Sequence, residues 1–156
     1  MGTYAIAFEV ILLYVRPAKQ GCEVGGRGFM RREAAKTLAV LNRTRGTVLC
    51  EKLEVATSHV EQSRGLLGRD GLTPGSGMLF EGSRLPLMWM HMFFMRFAID
   101  IVFLDKANRV LRINHSLKPW RVSSMVFGAR RALEIEAGAA ARSGTMRGDQ
   151  LDLSAA

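Results

Sequence analysis

From Thr47 onward the chain alternates short apolar runs with clusters of glycine, proline and polar residues, the pattern of a strand-rich domain with frequent turns. Thr47 to Val55 is rich in β-branched and apolar residues and predicts a first strand. Ser58 and Glu61 have the spacing of a capping box, so a helix of about three turns is expected to run on to Leu67. Gly68, Gly71, Pro74, Gly75 and Gly77 then predict a long loop before a short strand at Met78 to Phe80.

A second loop at Glu81 to Pro86 leads into the most apolar segment, Leu87 to Phe97. Ile99 to Leu104 is apolar on both faces apart from Asp100, as expected of a strand covered on both sides and placed at the centre of the sheet. The connection Asp105 to Asn108 predicts an antiparallel hairpin with Arg109 to Asn114. Ala132 to Glu136 predicts another strand, and Ala137 to Ser143 a short helix stopped by Gly144. After a turn at Gly148-Asp149, Gln150 to Leu153 alternates as a last strand.

Residues 1 to 40 differ in character. Gln20 to Gly28 is glycine-rich and reads as linker, and Met30 is an alternative chain start. The expected organisation is an N-terminal extension, poorly ordered or a start-site artefact, followed by a single domain over 41 to 156. The apolar stretch Tyr4 to Val15 is too short to span a bilayer and lacks a signal peptide's basic start and cleavage site. No membrane span and a cytoplasmic location are therefore expected.

A length of 156 residues bounds the chain to one domain's core, and 48% hydrophobic with 23% charged residues is a globular composition. The net charge of +8 raises a nucleic-acid partner. Its distribution argues against one: six basic and three acidic residues lie in the first 40, and the remaining sixteen basic and eleven acidic residues include arginines scattered without a continuous run. Two cysteines, Cys22 and Cys50, make neither a disulfide framework nor a pair spaced for a metal. No cofactor and no metal are expected.

Several stretches in order, Arg64-Gly65-Leu66-Leu67-Gly68-Arg69, Gly77-Met78-Leu79-Phe80, His91 through Asp100 to Asp105, Pro119-Trp120-Arg121, and Leu133 to Gly138 followed by Gly148-Asp149, resemble domain-of-unknown-function family 192. The resemblance covers about Leu41 to Leu153. It implies a mainly β fold, a small sandwich-like or barrel-like antiparallel sheet with one or two short helices, with an α+β arrangement as the alternative. It implies no activity. The family commonly has proline two residues before the aspartate, and Ala98 here leaves that segment without proline's fixed φ.

The candidate site residues are Arg64, His91, Met95, Arg96, Asp100, Trp120 and Arg121. Met88 to Met95 holds soft ligands suited to Cu(I). On a strand, however, Met88, Met90 and Met92 share one face while His91 and Met95 share the other, so the methionines read as core filler. Asp100 must be paired, hydrogen-bonded or protonated. Either it lines a pocket with His91 and Arg96, or it accepts backbone N–H groups at a strand entrance, the favoured reading. Trp120-Arg121 offers a ring beside a cation, suited to stacking on bases or sugars and equally to closing a sandwich. Arg64 offers an anion contact or complements a helix dipole. A binding or accessory module with an unidentified ligand or protein partner leads; a hydrolase or lyase using Asp100 and His91, and a weak nucleic-acid binder, are the alternatives.

Overall fold

The computed structural model describes residues 37–56, 65–82 and 87–155, all within one compact unit. The described strands are β1 (Thr37–Asn42), β2 (Thr47–Val55), β3 (Ser76–Glu81), β4 (Leu87–Met88), β5 (Ile99–Leu104), β6 (Val110–Leu117), β7 (Val126–Phe127), β8 (Arg131–Glu136) and β9 (Leu151–Ala155), with one short helix, α1 (Ala139–Arg142). The capping-box segment at Ser58 and Glu61 lies outside the described residues; Gly65 to Gly68, where its helix was expected to end, is a turn.

Seven strands form one sheet in the order β6-β5-β8-β3-β2-β1-β9, and β4 pairs with β7 in a separate small layer. Every pairing in the large sheet is antiparallel except β2 with β3. The mainly β, barrel-like expectation holds, because the sheet curls until its two edges meet. Val110 N–H donates to Asp149 O at 2.9 Å, Gly148 N–H to Val110 O at 2.8 Å, and Leu151 N–H to Asn108 O at 3.0 Å. The result is a half-barrel whose edge strands are joined at one end, which removes part of the exposed edge a flat sheet would carry.

The curled sheet has a core on each face. Val40, Leu53, Leu79, Val102, Leu104, Leu133, Ile135 and Leu151 fill the inside, together with Ala140 of α1. Met78, Phe80, Ile101, Phe103 and Ala132 face outward beneath Leu66, Met88, Met92, Met95 and Val126. All six residues of β5 are therefore buried. Its apolarity was expected to mark the centre of the sheet, yet β5 stands second from an edge and β3 is the middle strand. Coverage on both faces makes a strand apolar throughout; centrality is not required.

Gly77 of β3 is paired between β2 and β8, and a Cβ there would lie 2.7 Å from Glu134 O and 2.8 Å from Ile135 Cγ2. The end of the barrel is tied by a buried polar cluster. Asn42 Nδ2 donates to Thr145 Oγ1 at 3.0 Å and to Asp149 Oδ2 at 2.9 Å, and Arg45 Nε reaches the same oxygen at 2.8 Å. Burial raises the Asp149 pKa, but bonds from Arg45, Asn42 and the Met146 N–H, with the Arg45 charge, hold it down to about 2.

Candidate functional site

The small layer is built from two chain segments laced along their backbones. Leu87 pairs with Phe127, Met88 with Val126, and His91 with Val122. Met92 N–H donates to Arg121 O at 2.8 Å, Trp120 N–H to Met92 O at 2.9 Å, and Ser123 N–H to Met90 O at 2.8 Å. Ser123 Oγ accepts the Met90 N–H at 2.8 Å, so the backbone of the ladder is satisfied on both sides.

Alternation in the first segment sends Met88 and Met92 inward to the sheet and Trp89, His91 and Phe93 outward. The outward rings form a row: Trp89 to His91 at 6.3 Å, His91 to Phe93 at 5.2 Å, Phe93 to Trp120 at 6.3 Å, and Trp120 to Phe94 at 5.0 Å edge to face. Such pairs contribute roughly 0.5–1.5 kcal/mol each beyond their area. Desolvation among its neighbours lowers the His91 pKa, which favours the neutral imidazole.

Two of these rings stand on strained backbone. Phe94 has φ 62° and Trp120 has φ 63°, in the left-handed region that bulky residues avoid at a cost of about 1–3 kcal/mol. Both remain exposed, at 70% and 61% of their surface, and Phe127 on the same small layer is 76% exposed. Val122 and Met125 are also exposed, which makes a large apolar surface on a small domain.

Of the sequence candidates, the backbones of His91, Trp120 and Arg121 thus come together in this layer, and Arg121 is exposed. Met95 does not share the outward face with His91 as the simple alternation required. The turn at Phe93-Phe94 breaks the strand, and Met95 enters the core with Met88 and Met92. Packing accounts for these three methionines. Arg64 lies outside the described residues.

Asp100 lies inside the barrel wall. Its Oδ1 accepts the Ser116 N–H at 2.7 Å and its Oδ2 the Ala140 N–H at 3.0 Å, and the residue is fully buried. The carboxylate joins β6, whose register shifts beside it, to the start of α1. Arg96 is not its partner: Arg96 pairs with Asp70 at 2.6 Å on the surface. The backbone-accepting role is thus the one the geometry holds.

Glu134 escaped the sequence reading. It lies on the outward face of β8 between Met78 and Ile101, buried, with no hydrogen bond to its carboxyl among the described residues. Burial pushes its pKa up from 4.5 to about 8. Its place between Leu133 and Ile135 was the available signal. Cys50 lines a hollow of about 310 Å³ between β2 and α1, but burial pushes its thiol up to about 11, far from a reactive thiolate. Among the described residues no three His, Cys, Asp or Glu side chains converge to hold a metal ion. No helix among them is long and apolar enough to cross a membrane.

The family model DUF192, described as uncharacterized ACR, matches residues 40–153. A UPF0127 protein of Thermococcus sibiricus is 30% identical over 118 residues, covering 72% of this chain and 73% of its own. A protein of unknown function from Novosphingobium aromaticivorans has a similar crystal structure, with a TM-score of 0.63 and 26% identity over 74% of this chain and 83% of its own. A candidate transcription regulator of Sinorhizobium meliloti shares the fold at a TM-score of 0.66 and 22% identity, over 77% of this chain and 94% of its own. With the family model spanning most of its length, the chain belongs to the uncharacterized DUF192 family.

Proposed function

We propose that this domain is a docking module that takes a protein partner on the outward face of the β4–β7 layer, with Trp120, Phe94 and Phe127 as anchors. The observation that supports it is the pair of exposed rings, Phe94 and Trp120, kept in contact at 5.0 Å by left-handed backbone. Strain of that kind persists only where surrounding structure enforces it, and it concentrates at functional sites. Aromatic residues, methionine and arginine are the side chains enriched at interface cores, and Trp89, Phe93, Met125 and Arg121 lie on the same two segments as the anchors.

The test is cross-linking mass spectrometry on tagged full-length chain expressed in its own host. A partner recovered with the wild type should fall about tenfold or more with Trp120→Ala or Phe94→Ala, the loss expected of a hot-spot residue. Both variants should keep the wild-type circular dichroism. Recovery of the same partner undiminished from both variants contradicts the reading.

A further inference from the structure

We propose that a hollow at the rim of the large sheet, between the end of β3, the β5–β6 turn and the start of β8, is a binding site for a small phosphate-bearing ligand. It is lined by Glu81, Gly82, Lys106, Arg130 and Arg131 and measures about 290 Å³. Three basic residues and one acidic residue thus line a space at the lower end of the range for small-molecule sites.

The walls are fixed by backbone. Gly82 N–H donates to Arg130 O at 2.7 Å, and Arg130 N–H donates to Leu104 O at 2.8 Å, which ties all three strands together at this point. A Cβ at Gly82 would lie 2.9 Å from Met88 Sδ and 3.0 Å from Arg130 O, so a side chain there would have to displace its neighbours. Gly82 leaves that wall bare main chain.

Arg131 and Lys106 supply the positive charge. Arg131 Nη1 donates to Asn108 Oδ1 at 2.5 Å, which orients the guanidinium, while its contact to Glu81 Oε1 is long, at 3.5 Å, and exposed. Lys106 is exposed in the turn and makes no ion pair among the described residues. Asp105, the nearest other carboxylate in sequence, has Oδ1 turned into its own loop, where it accepts the N–H groups of Ala107 and Arg109. An oriented guanidinium fork matches phosphate oxygens in pairs, and a lysine adds a mobile point charge. The shared chemistry is a phosphate dianion, free or as a small monoester.

The test is a titration of isotopically labelled full-length chain with inorganic phosphate, and separately with glycerol phosphate, followed by amide chemical shifts at ionic strength held constant with sodium chloride. Saturable shifts at Gly82, Lys106 and Arg131 are expected. Lys106→Gln should weaken the binding roughly fivefold, the scale of one exposed charge contact, and Glu81→Gln should strengthen it. Tighter binding of the ester assigns the site to a phosphorylated metabolite, and equal binding to the free anion. Shifts that fail to saturate, or that ignore both substitutions, overturn the proposal.

Discussion

At the scale of single residues, the docking face depends on side chains placed against local preference. Phe94 and Trp120 adopt backbone that glycine favours, and both hold rings in solvent. Phe94→Gly should therefore leave stability unchanged or raise it by about 1 kcal/mol, since strain is relieved as packing is lost. The same variant should lose partner recovery. Chemical denaturation and the cross-linking assay, run side by side, check the opposed directions; a large loss of stability would mean that the ring packs rather than docks.

Glu134 gives a second prediction at this scale. Its folded pKa of about 8 lies above the ordinary 4.5, so the folded state binds the proton more tightly than the unfolded chain does. Its contribution is fully present below 4.5 and is lost as pH rises through 8. Every tenfold gain in proton affinity corresponds to about 1.4 kcal/mol, so denaturant titrations between these limits should show stability falling by several kcal/mol from this residue. Glu134→Gln should flatten that slope. A slope unchanged in the variant would place the proton elsewhere.

At the scale of elements, legibility followed how many neighbours decide a segment. The hairpin around Asp105 to Asn108, the strand at Arg131–Glu136 and the short alanine-rich helix were readable because turn residues and local periodicity determine them. The strand β1 at Thr37–Asn42 was not, because polarity runs against burial there: the apolar Leu41 is exposed while the polar Asn42 is buried. The parallel pairing of β2 with β3 was equally hidden, since a crossover leaves no local mark in either strand.

Asp100 was legible as a buried carboxylate, and its two acceptor bonds show what it does for the elements around it. It holds β6 and α1 to β5. Asp100→Asn exchanges one acceptor oxygen for an amide that opposes a backbone N–H. The expected loss is about 2 kcal/mol in denaturant unfolding, the scale of a hydrogen bond to a charged group with its partner left buried. A neutral result would show that the carboxylate is dispensable to the fold and reopen its reading as a pocket acid.

At the scale of the whole molecule, the curled sheet presents its outward face to a thin cover, and that cover carries the rings. His91 lies about thirty positions from Trp120 and Arg121 in sequence, and only the lacing of two irregular segments brings them into one layer. Composition could mark them as candidates, but the union needed tertiary structure. The most direct test of docking is site-specific photo-crosslinking in the native host, with p-benzoylphenylalanine placed at Phe127 and, as a control on a different part of the surface, at exposed Val48 of β2. A docking face should give a discrete protein adduct from position 127 that is lost when Trp120→Ala is combined with it, and none from position 48. No adduct at 127, or the same adducts from both positions, would contradict it.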